Sequence, residues 1–374
     1  MNIKIYAMTH IKFTPPSNPI YIPLQVGSEV HPDLGFLKDN TGDNISSLNC
    51  YYSELTGMYW VWKNITDCDV VGICHYRRYL LNAKEELLSA SEIENILKEH
   101  DAITTKVLDL NFSYEYGFQE NHTKEDLEAA NHAIKKLYPD FYPLYVKCLK
   151  ENHTYFGNMM ISSKKLYDEY CSFLFPIFKE MSKELDLDSY DDYHKRLYGF
   201  ISEFIWMVWT KYKNLKIYEC KVGLVGEKRE TKDVISHLWD LLALSKINEA
   251  KTYFLEVQRK RPDILMEASD IHNHLHICLE VISICEYELD KYGEILLPLS
   301  EIQHLNLMEY IAKLNKCIIE VIAYSKGQLD DTTFKQIKRD LKESNYSPIA
   351  MMISLKLYSS NTTDYENVCR ILHL

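Results

Sequence analysis

Residues Val70-Val71-Gly72-Ile73-Cys74 form an unbroken apolar run that ends abruptly in His75-Tyr76-Arg77-Arg78-Tyr79. A run of this kind reads as a strand buried in a sheet that is covered on both faces. Open α/β sheets take up ligands just beyond the carboxyl ends of their strands. Two adjacent guanidinium groups at that place offer planar, paired donors that match phosphate oxygens, so the run predicts an anionic ligand. The plainer reading is that Arg77 and Arg78 pair with surface carboxylates of an acidic protein.

The flanking sequence continues the pattern. Ile3 to Met8 reads as a first strand, with Thr9-His10-Ile11-Lys12 at its carboxyl end and Pro15-Pro16 forcing a loop. Ile20 to Val26 is a short extended piece. Asp39-Asn40-Thr41-Gly42-Asp43-Asn44 is turn chemistry. Tyr51, Leu55, Met58, Tyr59 and Trp62 mark the stripe of one helix. Ser91 and Glu94 have capping-box spacing for a helix reaching about Glu99. Asp101 to Val107 and Tyr155 to Ser162 read as strands, Lys164 to Leu185 and Tyr193 to Tyr212 as helices, and Lys216 to Val222 as a last strand. Strands alternating with helices predict an α/β layered domain over residues 1–228. From 229 to 374 the chain is rich in Leu and Ile at helical spacing, with few strand candidates, which predicts a second, all-α domain.

Composition narrows the partners. A formal net charge of -12 over 374 residues argues against a nucleic-acid binder. Ten cysteines without a C-x-x-C pair fit reduced thiols in a cytoplasmic protein. No signal peptide and no bilayer-length apolar run is visible. Membrane contact is therefore expected to be peripheral at most, at the inner face of the cytoplasmic membrane.

Several residues can carry chemistry. Asp39, Asn40, Asp43 and Asn44 offer ligands for sugar hydroxyls or a metal, or simply make a surface turn. Glu54 lies against the stripe of Tyr51 and Trp62, where a solvated carboxylate is the usual outcome. Glu203 sits in Tyr198-Gly199-Phe200-Ile201-Ser202-Glu203-Phe204-Ile205-Trp206. A carboxylate among large apolar residues tends to a raised pKa and suits a general base; an ion pair with Arg196 or Lys195 is the alternative. His272, His274, His276 and Cys278 have a weak zinc-like spacing that one helix cannot aim at a single ion.

Three stretches taken together are familiar: Asp39 to Ser46, Tyr52-Ser53-Glu54-Leu55-Thr56-Gly57-Met58-Tyr59-Trp60-Val61-Trp62-Lys63-Asn64, and Gly72 to Tyr79. With Asn158-Met159-Met160-Ile161 and Tyr198 to Glu203 in the same order, the N-terminal part of the chain resembles the DUF4422 family. That family is found among bacterial capsule, O-antigen and exopolysaccharide glycosyltransferases, some linked with galactofuranose transfer. The resemblance implies a GT-A-like, Rossmann-type nucleotide-sugar-binding domain followed by the helical domain. It implies a hexosyltransferase that moves a sugar from a UDP-sugar donor to a growing capsular or surface glycan, lipid-linked or free.

By the same analogy Thr9, His10 and Lys12 border the nucleotide, with Gln25, Val26 and Gly27 nearby. His75, Tyr76, Arg77 and Arg78 stand where many such enzymes carry Asp-x-Asp. Cationic side chains there can neutralise the leaving diphosphate in place of a metal, although Asp39 and Asp43 leave manganese or magnesium as an option. Glu203 is then the expected base of an inverting transfer. Glu54 and Asp43 are second choices for that role or for holding donor hydroxyls, and Asn158 and Tyr155 are expected on the acceptor side. A non-catalytic glycan- or protein-binding module on a degenerate transferase fold is the competing reading. A transferase of another activated group comes third.

Overall fold

The computed structural model describes residues 1–266, 269–299 and 304–374, and divides into two compact units, Met1–Val225 and Gly226–Leu374.

The first unit is built on ten strands: β1 (Ile3–Thr9), β2 (Tyr21–Gln25), β3 (Leu37–Lys38), β4 (Val70–His75), β5 (Arg78–Leu81), β6 (Ala102–Thr105), β7 (Leu108–Asp109), β8 (His153–Thr154), β9 (Met160–Ser163) and β10 (Ile217–Leu224). Among the described residues eight of them form one mixed sheet, and β7 and β8 form a small separate two-stranded antiparallel sheet. β1 is parallel to β2 and β4, and β2 to β3. β9 runs antiparallel between β4 and β6, and β6 is parallel to β10. β4 and β6 therefore point the same way. The carboxyl ends of β1, β2, β4, β6 and β10 all reach one edge of the sheet.

The period-two alternation of side chains explains why the sheet is covered on both faces. On β1, Tyr6 and Met8 join the large core while Ile3, Ile5 and Ala7 join the smaller one opposite. On β4, Val71 and Ile73 face the first, Val70 and Cys74 the second. The helices Leu55–Asn64, Lys164–Met181 and Leu197–Tyr212 supply the large core, with Trp206, Trp209, Tyr167 and Tyr170 buried in it.

Several elements differ from the sequence reading; the helices expected over Lys164–Leu185 and Tyr193–Tyr212 span Lys164–Met181 and Leu197–Tyr212. Where the stripe predicts one helix through Tyr51 and Trp62, the chain forms two, Asn49–Tyr52 and Leu55–Asn64. The break is Ser53, at φ +48, whose carbonyl accepts the Asn49 side-chain amide at 2.7 Å. The strand expected from Tyr155 begins only at Met160, because Gly157 and Asn158 both take positive φ. The capping box lies two residues earlier than expected: Ser89 and Glu92 exchange the bonds, and the helix spans Ala90–Ile96. Glu94 is drawn off by the N-terminal amine at 2.8 Å. The strand expected over Asp101–Val107 is shortened to Ala102–Thr105.

In the second unit the described residues form helices and no strand. They are Arg229–Ala243, Ile247–Lys260, His274–Tyr292, His304–Ser325, Asp331–Glu343, Pro348–Tyr358 and Thr362–Leu372. Leu238, Leu242, Ile284, Leu314 and Val321 are in its core. His276 donates from Nδ1 to Asp270 at 2.7 Å, and Cys278 is buried. Among the described residues no group of three or more His, Cys, Asp or Glu converges to hold a metal. Nor is any described helix long and apolar enough to cross a membrane.

Candidate active site

A two-residue turn organises the carboxyl edge of the sheet. Gly157 has φ +101, a conformation open to glycine and costly for other residues, and Asn158 follows at φ +46 in the left-handed region that Asn tolerates. With these values the turn presents its backbone and the Asn side chain to three other elements. The Gly157 N–H donates to Glu203 Oε1 at 2.8 Å. The Gly157 carbonyl accepts from His75 Nε2 at 2.5 Å, which sets that nitrogen as the protonated one. Asn158 Nδ2 donates to Glu54 Oε1 at 2.8 Å and to the Gly199 carbonyl at 2.9 Å. Asn158 Oδ1 accepts from Ser202 Oγ at 2.6 Å. Asn158 is buried, and its amide is committed in every direction.

Each functional side chain owes its place to a local feature. Glu54 follows the Ser53 break, which turns the second helix so that the carboxylate enters the protein. It lies at the first turn of the helix Leu197–Tyr212, where a Cβ on Gly199 would come within 3.9 Å of Glu54 Oε1. That helix end favours negative charge. Glu203 is two turns along the same helix. His75 closes β4, opposite Met8 of β1. Arg196, just before the helix, donates from Nε to Ser53 Oγ at 3.1 Å and lies over the Phe200 ring at 5.7 Å. Arg78 lies over the Phe156 ring at 5.2 Å.

The two carboxylates are pushed in opposite directions. Burial, together with the nearby charge of Glu54, raises Glu203 to about 8; the Gly157 N–H, Arg78 and Arg196 only partly offset this. Burial also presses Glu54 upward, but His75, the Asn158 amide and Arg196 more than reverse it and leave Glu54 below the ordinary value. His75 is held down by burial, with Arg78 and Arg196 adding to the effect against the opposing pull of Glu54 and the Gly157 carbonyl. At neutral pH the turn thus holds one ionised carboxylate, one carboxyl that titrates near neutrality and one neutral imidazole. Such a split pair can divide acid–base from electrostatic roles.

The structure gathers some of the expected residues here and places others elsewhere. Glu54, His75, Asn158 and Glu203 share the turn, and Arg78 acts on His75 and Glu203. Arg77 points away, its Nε donating to the Val225 carbonyl at 3.3 Å. Tyr76 meets His10 edge-on at 5.6 Å and Phe13 at 5.9 Å. Lys12 is exposed beyond β1, and Thr9 is buried with its hydroxyl on the Ile11 carbonyl.

Asp39, expected at the donor, is fully buried and builds a loop. Its oxygens accept from Gly27 N–H at 2.9 Å, Ser28 N–H at 3.0 Å and Ser46 Oγ at 2.5 Å. Val26, also buried, donates from its N–H to the Thr9 carbonyl, and Gln25 spends its amide on Pro32 and Leu34. Asp43 accepts from the Tyr59 hydroxyl at 3.1 Å and has Lys63 at 3.9 Å. Asn40 reaches Glu29, and Asn44 caps its own turn through Gly42 and Ser46. The Tyr155 hydroxyl donates to Glu219 at 3.1 Å.

The sequence by itself does not mark Gly157, Gly199 or Ser202 as functional, and it offers Arg196 only as a chain neighbour of Glu203. The adjacent Gly157-Asn158 pair was the available signal, since that dipeptide marks a turn inside an apparent strand.

A family model described as "Domain of unknown function (DUF4422)" matches residues 4–214. No curated protein matches the chain. A solved structure described as the apo form of WbbM, a bifunctional glycosyltransferase, superposes with a TM-score of 0.56 at 26% identity. The match covers 61% of this chain and 46% of that one, so the chain spans less than half the length of that relative. The family match takes in Glu54, His75, Arg78, Gly157, Asn158 and Glu203 and more than half of the sequence, and the chain belongs to the DUF4422 family.

Proposed function

We propose that residues 1–225 form a glycosyltransferase of GT-A-like, Rossmann-type architecture. It moves a hexose from a UDP-linked donor, of pyranose or galactofuranose type, to a growing capsular or surface glycan at the inner face of the membrane. The observation that carries this reading is the pair of carboxylates held in opposite protonation states by Gly157 and Asn158, with His75 and Arg78 beside them. The likeness to a structure described as a glycosyltransferase supports the reaction class.

In this mechanism the donor diphosphate lies beyond the carboxyl ends of β1 and β4. Arg78 makes no ion pair with a described residue, and it neutralises the charge that grows on the diphosphate as the sugar C1–O bond breaks. Glu203 takes the proton of the acceptor hydroxyl as its oxygen attacks C1 from the opposite face, and the linkage inverts. Glu54, ionised throughout, holds donor hydroxyls and stabilises positive charge developing at the sugar.

Manganese or magnesium fits poorly with this set of residues. Asp39 spends its carboxylate on the loop, and no three ligand side chains converge among the described residues. No step is assigned to a metal. Calorimetry with UDP, GDP and CDP, with and without manganese, tests the reading. Binding of UDP that weakens in Arg78→Ala supports it; failure of every nucleotide to bind refutes it and leaves the non-catalytic module.

A further inference from the structure

The loop that holds the two carboxylates also walls a hollow that none of the assigned roles uses. It measures about 300 Å³ and is lined by Val107, Asp109, His153, Tyr155, Met207, Thr210, Lys211 and Glu219. That volume is at the small end for a ligand site and suits one sugar ring rather than a chain.

Three placements tie it to the carboxylates. Val107 and Asp109 follow β6, whose carboxyl end reaches the same sheet edge as that of β4. Tyr155 precedes Gly157 by two residues, so their Cα atoms are within about 7 Å. Met207 and Thr210 follow Glu203 by one and two helical turns, on the same face of the helix. A larger hollow of about 390 Å³ around Tyr138, Phe173 and Tyr212 shares no residue with that loop.

The lining chemistry selects the ligand. Glu219 accepts one bond at each oxygen, from the Tyr155 hydroxyl at 3.1 Å and the Val107 N–H at 3.2 Å. A carboxylate has about four acceptor positions, so hydroxyl groups of a ligand can still bind it. Asp109 is exposed at the mouth, paired with His153 at 2.7 Å. Val107, 38% exposed, supplies apolar surface for the face of a ring, with Tyr155 and Met207 buried behind it. Lys211, also in the lining, is paired with Glu151 at 3.0 Å, and His153 with Asp109, so the two carboxylates are not outweighed; they disfavour a phosphate, and a neutral, hydroxyl-rich group is favoured.

We infer that this hollow binds a neutral sugar residue of the acceptor glycan, next to the one whose hydroxyl Glu203 deprotonates, with Glu219 and Asp109 reading its hydroxyls. The inference rests on the transferase reading and assigns the acceptor's orientation to residues outside the catalytic turn.

The test uses the full chain. Saturation-transfer NMR is run with methyl glycosides of galactose, glucose, mannose and N-acetylglucosamine, and UDP binding is measured in parallel by calorimetry. At least one glycoside is expected to bind in the millimolar range. Asp109→Trp, at an exposed position, should close the mouth and abolish that signal. Glu219→Gln, which keeps the side-chain shape, should weaken it about tenfold. UDP affinity should stay at the wild-type value in both. A glycoside signal that survives both substitutions, or UDP binding without binding of any glycoside in the panel, overturns the inference. Loss of UDP binding in the wild type overturns the transferase reading, and this subsite with it.

Discussion

Replacing Glu203 by Gln is expected to make the protein more stable at neutral pH, and to do so in a pH-dependent way. The carboxyl titrates near 4.5 in the unfolded chain and near 8 in the folded one. Below pH 4.5 both states carry a proton and the group contributes no penalty. As pH rises from 4.5 toward 8 the unfolded chain releases a proton that the folded chain keeps, and folding loses about 1.4 kcal/mol per pH unit. At pH 7 the full effect is about 3.4 kcal/mol. Glu203 retains partial solvent access, and discounting for screening leaves about 1.5–3 kcal/mol.

Gln keeps the oxygen that accepts the Gly157 N–H and carries no charge, so it escapes this penalty. Four of the five tryptophans (Trp60, Trp62, Trp206 and Trp209) lie in the first unit, so tryptophan fluorescence during urea unfolding reports chiefly on that unit. The unfolding midpoints of wild type and variant should coincide near pH 4 and separate steadily up to pH 8, with the variant higher. A variant less stable than wild type at pH 7, or a gap that does not change with pH, refutes the electrostatic argument.

Glu54 should behave in the opposite sense. Its folded value lies below 4.5, so its ionised form contributes stability above that pH and loses it as pH falls through the folded value. Glu54→Ala should cost about 1–3 kcal/mol at pH 7 in the same urea assay and much less under acid conditions. Gly157→Ala forces a side chain into φ +101 and should cost about 1–3 kcal/mol while also lowering transfer, measured as sugar incorporated per enzyme. Arg78→Ala should weaken UDP binding about tenfold or more by calorimetry, whereas Arg77→Ala, whose guanidinium serves the Val225 carbonyl, should change it about twofold or less. Transfer needs Glu203 without its proton, so initial rates should rise about tenfold per pH unit and level off near pH 8. A profile already flat from pH 5 would remove Glu203 from the base role.

The parts of the fold legible in the sequence are those set by local periodicity. The apolar run of β4, the alternation on β1 and the stripe of the helix Leu197–Tyr212 each announce their element, because burial on one or both faces selects residues at fixed spacing. Glu203 was legible for the same reason, as a carboxylate among large apolar neighbours. What was not legible depends on backbone sign and on contacts distant in sequence. The stripe from Tyr51 to Trp62 does not show that Ser53 reverses its φ, yet that reversal takes Glu54 from an expected solvated face into the protein. The polarity of the Asp39–Asn44 turn does not show that Asp39 is buried on three donors. Adjacent arginines look equivalent in a sequence. Only the pairing of β5 with β4 and β10 separates Arg78, beside the carboxylates, from Arg77 at Val225.

The account turns on Gly157 and Asn158 holding two carboxyls in opposite protonation states at the same pH. Carbon-13 NMR of protein labelled at the glutamate side-chain carboxyl reads this directly, with Glu54→Gln and Glu203→Gln for assignment. One resonance should titrate near pH 8 and vanish in Glu203→Gln, and another should titrate below 4.5 and vanish in Glu54→Gln. Both carboxyls titrating together near 4.5 would contradict the account.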